Sequence, residues 1–356
     1  MKILLRVLTI IVIIAAFALP CSAKTAEEYI GEVEEILPDE YADTALAVGR
    51  GEESVTELFS EIARVIVGEM PRIFSFFLSL LGLSLFSSLV AFVPEGLRVA
   101  SERAVCIVSA LFVGAVATPA FSAATATVSE VSGFFSSAIP LLSAITLAGG
   151  GVKGAAAQAA GMNAALSLVG GGFGAAFSLL SGFSLAMALA SSLGGEGAGT
   201  VGKYSRSLFF WIYGIGTALV MGFLSLQTLV ASASDSASIR TAKYIASGSL
   251  PLVGGAVSAS LSTLAAGLSY AKGVVGASAI TVLLLMLLSP LAISLAYRAA
   301  LSVASGLSEL IGASSQVGCY KAFLSSFDLL VGIYGLSSIL YVFEVVLFIR
   351  SGVAIL

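Results

Sequence analysis

Six apolar runs dominate the chain, at residues 73–93, 104–124, 131–148, 208–231, 274–297 and 329–349. Each approaches or exceeds the ~20 residues that carry a helix through ~30 Å of hydrocarbon. Arg72 and Pro94-Glu95 frame the first run, Arg103 starts the second, and Asp328 and Arg350 bound the last. Two further regions are apolar but interrupted. Residues 155–193 approach two spans in length and are broken by Gly170-Gly171-Gly172-Phe173-Gly174, while 245–271 contain Gly248, Pro251 and Gly254-Gly255. Glycine and proline loosen a helix, yet backbone in lipid must stay hydrogen-bonded. Each region therefore reads as a broken helix, a re-entrant hairpin or a pair of tilted spans. The pattern predicts an all-α, polytopic integral membrane protein with about 7–8 transmembrane or re-entrant helices.

The N-terminus follows a different pattern. Lys2 and Arg6 precede a short apolar run at 7–19, and Pro20-Cys21-Ser22-Ala23-Lys24 follows. This is the layout of a signal peptide cleaved after Ala23, the run being short for a span, although an uncleaved anchor uses the same residues. Pro20 argues against a lipoprotein site at Cys21. Residues 24–70 are amphipathic rather than apolar. Thr25 and Glu28 have capping-box spacing, with Ile30, Val33 and Leu37 on one face before Pro38. Ser54 and Glu57 repeat the spacing before Leu58, Ile62, Val65 and Ile66. The expected organisation is a signal peptide (1–23), an acidic extracytoplasmic helical segment (24–70) and a polytopic membrane domain (71–356).

Composition agrees with this division. Of 356 residues, 58% are hydrophobic and 11% charged, against roughly 25% charged in soluble domains. Residues 24–69 hold 13 of the 21 acidic side chains and only Lys24, Arg50 and Arg64 as bases. The overall charge of −4 thus belongs to that short segment. It should dock on a partner or on this protein's own membrane surface, since an acidic helix has no charge attraction to anionic lipid. No clustered basic element marks a nucleic-acid footprint, so no nucleic-acid partner is expected.

The chemistry available is narrow. The chain has no histidine, which removes His-based zinc sites, Ser-His-Asp catalysis and His relays. Cys106 and Cys319 lie far apart in the sequence and read as buried small hydrophobes. There is no phosphate-binding loop, nucleophile elbow or His-Glu-x-x-His motif. Beyond the acidic segment the only aspartates are Asp235 and Asp328, both at run edges. No catalytic residue, metal site or cofactor is expected, and ATP-driven work must come from another protein.

Polar and small residues inside the apolar sequence supply the remaining candidates. Glu344 lies within the last run; an ionisable group there marks a pathway or an interhelical partner, and Arg350 is six residues away. Asn163, Gln158 and Gln227 can line a pore or tie helices together. Small-xxx-small spacings at Gly150/Gly154 and Gly170/Gly174 suit close helix packing. Ile139-Pro140-Leu141-Leu142 is echoed by Leu250-Pro251-Leu252-Val253, each entering a small-residue segment. Such pairs occur in transporter-type repeats and also as coincidental kinks. With the signal peptide cleaved, the 94–103 loop and Lys153 would be cytoplasmic, in keeping with their basic residues. Lys203 and Arg206 precede the 208–231 run while Arg240 and Lys243 follow it, so charge does not orient the second half.

The stretch Asp235-Ser236-Ala237-Ser238-Ile239-Arg240-Thr241-Ala242-Lys243-Tyr244, followed by Leu250-Pro251-Leu252-Val253-Gly254-Gly255-Ala256-Val257-Ser258, resembles the stage III sporulation protein AE family. The order of features fits too, with Tyr320-Lys321 before the last run. The resemblance covers about 70–350, and the acidic segment is short for the family. It implies an endospore former and a place in the mother-cell membrane around the forespore. It also implies a multi-protein channel or secretion-like assembly needed for forespore development. Implied partners are ring-forming proteins of the same operon, its secretion-type ATPase and a forespore-membrane protein. Asp235, Arg240, Lys243, Pro251, Gly254, Gly255, Pro140, Asn163 and Glu344 are the partner or conduit candidates. A secondary-transporter-like permease and a scaffold without its own conduit are the alternatives. Re-entrant hairpins at Pro140 and Pro251 would favour the permease, and a tightly packed bundle without a polar cavity the scaffold.

Overall fold

The computed structural model describes residues 25–53, 55–149, 151–192, 198–249 and 254–350, and all regular structure in them is helical. The signal-peptide reading, Ser54 and Pro251 lie outside the described residues. Helix α1 (Ala26–Ile36) starts on a complete capping box. Thr25 Oγ1 accepts from the Glu28 N–H at 3.3 Å, and Glu28 Oε2 accepts from the Thr25 N–H at 2.8 Å. Helix α2 (Ala42–Arg50) ends at Gly51, whose φ of +77° closes the last turn in the left-handed region that glycine tolerates. Helix α3 (Val55–Leu89) then carries both the amphipathic residues from Leu58 and most of the first apolar run, which finishes in a 3-10 turn, Val90–Phe92.

Helices α4 (Glu95–Ala148), α5 (Val152–Leu166), α6 (Gly174–Ser192), α7 (Ala198–Ser249), α8 (Gly254–Leu310) and α9 (Ser314–Arg350) complete the fold. One expectation changes and one set of alternatives narrows to the interrupted helix. The runs at 104–124 and 131–148 share the single helix α4, Pro119 and Pro140 included. Residues 155–193 do not reverse: α5 passes into α6 through one π-helical segment, Ser167–Phe173, where glycines with little helix preference accept the wider turn. Six helices are long and apolar enough to cross a membrane among the described residues. The chain is an all-α, polytopic membrane protein.

Helix lengths explain the count. At 1.5 Å per residue the 54 residues of α4 extend ~81 Å, well over twice the hydrocarbon thickness. Only part of α4 can lie in lipid, and its surface shows which part. Large apolar side chains are exposed at Leu97, Ile107, Val108 and Leu111, and then not again until Leu147. Between them the outward face carries Thr118, Ser122, Thr125, Ser129, Gly133 and Ser136. The second apolar run is a core-facing stripe with a water-compatible back, and hydropathy averages the two faces.

Helix α8 shows the same division. Residues 271–290 are buried or half-buried throughout, sheathed partly by the acidic segment. Val33 and Ile36 of α1, with Leu37 just after it, close over Phe134, Ala138, Leu141 and Leu142 of α4 and Val275 and Ala279 of α8. Nearer its C-terminus, Leu295, Val303 and Leu310 of α8 are exposed, beside exposed Phe74, Leu78, Leu85 and Phe86 of α3.

Successive long helices run antiparallel. Ser84 of α3 meets Ser308 of α8 and Tyr320 of α9 near one end, where the polar start of α4 also lies, Ser315 of α9 reaching Glu102. Toward the other end Ser132 of α4 meets Tyr341 of α9, and Thr146 of α4 meets Gln158 of α5. Because α4 is unbroken, Lys153 lies at the opposite end from Arg98 and Arg103. The expectation that the three share one side does not hold.

Candidate functional site

Glu344 is the buried charge that the sequence singles out, and on α9 it is 4% exposed. It borders a cavity of about 10 Å³ with Gln158 and Gly161 of α5 and Leu224 and Thr228 of α7, room for about one water. Glu344 Oε1 and Gln158 Nε2 have no hydrogen-bond partner. Thr146 Oγ1 donates to Gln158 Oε1 at 2.9 Å, which fixes the amide. A Cβ on Gly161 would meet the end of the Leu224 side chain, so α5 and α7 pack closely here. Arg350 is exposed, outside this cavity. A buried carboxyl beside an unmet amide can hold a proton or a single water. It has no width for a larger solute.

A second charged cluster escaped sequence reasoning. Asp328 of α9 is 8% exposed and accepts from Arg206 of α7 at 2.5 Å and from Arg298 of α8. Both guanidinium side chains are 40% exposed. With Ser207, Phe210, Trp211 and Val331 they line an open groove of about 610 Å³. The available signal was positional: Arg206 stands just before one apolar run, Arg298 just after another, and Asp328 just before a third. Only the antiparallel packing of α7, α8 and α9 brings the three edges to one level.

A third opening, about 340 Å³, is rimmed by Glu40, Glu61 and Glu130 around Tyr41. Burial, then the Glu40 charge and hydrogen bond, raise the Tyr41 phenol above its ordinary range and keep it protonated. Elsewhere polar side chains pin helices to one another. Tyr320 donates to the Leu80 carbonyl at 2.8 Å, and Ser184 and Ser326 share a bond of 2.7 Å. Such contacts contribute about 0.6 kcal/mol each on average.

The sequence candidates fare unevenly. Asn163 is exposed and donates to its own helix at Ala159 O, 2.7 Å away, so it does not line the Glu344 cavity. Pro140 lies exposed within α4. Asp235, Arg240 and Lys243 fall on the α7 backbone, and Gly254 and Gly255 open α8; the surroundings of these five lie outside the described residues. Cys106 and Cys319, by contrast, are brought together as free buried thiols, with Cys319 Sγ 3.9 Å from the Cys106 carbonyl. We expect a bulky maleimide to label neither before denaturation. Labelling of the folded protein, read by mass spectrometry, would contradict this packing.

No curated protein and no solved structure matches the chain. Its sequence does match stage III sporulation protein AE over residues 38–352. That match takes in the motif around Arg240 and Lys243, the charged junction at Asp328 and the Glu344 cavity, and the chain belongs to the stage III sporulation protein AE family.

Proposed function

We propose that this chain is the membrane platform of a sporulation assembly joining mother cell and forespore, with the conduit beside its helical bundle rather than through it. The observation that carries the reading is the filled interior among the described residues. Phe135, Phe177, Phe209, Tyr213, Phe323 and Phe327 are each under 2% exposed, and the cavity at Glu344 admits one water. A permease of the inverted-repeat type draws its site from discontinuous helices, whereas Pro140 lies within continuous α4. Family membership supports association with other stage III sporulation proteins. In this reading they are ring-forming proteins, a secretion-type ATPase and a forespore-membrane protein. The chain itself is not an enzyme and supplies shape, anchoring and contact surface.

Complementation of sporulation in a strain lacking the gene tests the reading. Glu344→Gln should sporulate at wild-type frequency, because a platform does not need a carboxylate in its interior. Loss of sporulation with normal membrane insertion would move the conduit into the bundle. The double reversal Arg240→Glu with Lys243→Glu should instead abolish sporulation while the protein still inserts. Normal spore counts there would reduce the basic pair to a topology signal.

A further inference from the structure

We infer that the groove at Arg206, Arg298 and Asp328 binds the phosphate of an anionic phospholipid. The charge balance comes first. Two guanidiniums share one carboxylate, which leaves the cluster with a net positive charge. A guanidinium has five N–H donors in a planar fork suited to phosphate oxygens. One N–H of each arginine is committed to Asp328, and 40% of each side chain remains exposed. Because Asp328 holds both forks from below, their free edges face the same opening without further ordering.

The walls then select the kind of phosphate. The groove is lined by Trp211 and Phe210 as well as the arginines, and Trp211 is 68% exposed. Leu295, three residues before Arg298 on α8, is also apolar and exposed. A soluble phosphate has no use for such walls. An amphiphile sets its headgroup on the arginines and its acyl chains along the apolar helix faces, and indole is favoured at that boundary. Basic pockets between membrane helices recognise anionic headgroups in this way. The volume of about 610 Å³ fits a headgroup and its glycerol rather than a single ion.

Trp211 is the only tryptophan in the chain, so its fluorescence reports this groove alone. The full-length protein, reconstituted in phosphatidylcholine, is titrated with phosphatidylglycerol brominated on its acyl chains and, separately, with brominated phosphatidylcholine. Quenching should favour the anionic lipid by about fivefold in apparent affinity, the scale of one net basic charge at a membrane surface. Arg298→Gln should bring the two lipids to parity. Arg298→Lys, which keeps the charge, should retain much of the preference. Arg98→Gln, the same charge change on a different helix, should leave it intact. Equal quenching of the wild type by both lipids would overturn the inference. So would an unchanged preference in Arg298→Gln with a lowered melting temperature, since the cluster is then only a clamp between helices. If millimolar inorganic phosphate erases the preference, the ligand is a soluble phosphate and the lipid assignment fails.

Discussion

Asp328→Asn should lower the stability of the detergent-purified protein by about 2–3 kcal/mol, the largest loss expected from any single isosteric change in the bundle. Asparagine keeps the shape and removes the only counter-charge that Arg206 and Arg298 have among the described residues. Breaking a buried pair typically costs about 3–5 kcal/mol, because the stranded charge stays desolvated. Here the stranded groups are 40% exposed, so solvent screens part of the cost. Arg298→Gln leaves the Arg206 pair standing and should cost under about 1.5 kcal/mol. Combining the two changes should recover part of the Asp328→Asn loss, since the two guanidiniums no longer repel. A thermal melt followed by size-exclusion reads all three variants. An Asp328→Asn protein melting with the wild type would show that the junction holds nothing together.

Gly49→Val is the complementary case, expected to detach the acidic segment and spare the bundle. A Cβ at position 49 would lie 2.8 Å from the Val274 carbonyl oxygen and against the Ser278 side chain. That carbonyl is fixed inside α8, so α2 has to move. Overpacking of this kind costs about 1–3 kcal/mol, and lifting α2 also exposes Ala45 and Leu46, now buried. Tryptic cleavage at Arg50 should accelerate by about tenfold, in line with ~1.4 kcal/mol, while a fragment spanning α3 to α9 persists. If cleavage at Arg50 keeps its wild-type rate, α2 is not held through Gly49. If the whole chain is degraded together, the acidic segment is part of the bundle's own stability.

These cases show what a sequence reader could reach. The capping box at Thr25 was legible because its partners are three residues apart. The helical, polytopic class was legible because apolar runs of span length leave few other options. Glu344 was legible as a buried charge, though not its neighbours Gln158 and Gly161, which lie almost two hundred residues away. The single helix α4 was misread as two spans for a physical reason. Average hydropathy does not distinguish a face against lipid from a face against protein. A finer signal was present: Thr118, Ser122, Thr125, Ser129 and Ser136 recur at helical spacing and mark one polar face from the end of the first run into the second. The junction at Asp328 had no such local trace. Its three charges come from three helices, and each alone resembles an ordinary run edge.

The unbroken α4 also bears on how the protein is made. Insertion machinery samples a nascent chain in windows of about 20 residues and offers each to lipid on its own hydrophobicity. Helix α4 presents two such windows in succession, yet only one of them can remain in the bilayer once the helix is whole. Its second window must leave the lipid, or never enter it, and find cover against the interior faces of α1, α8 and α9, synthesised partly before and partly after it. Until α8 and α9 emerge, that stretch lacks part of its permanent cover. Assembly is therefore bound to the order of synthesis, because the final cover of an early helix is made from later ones.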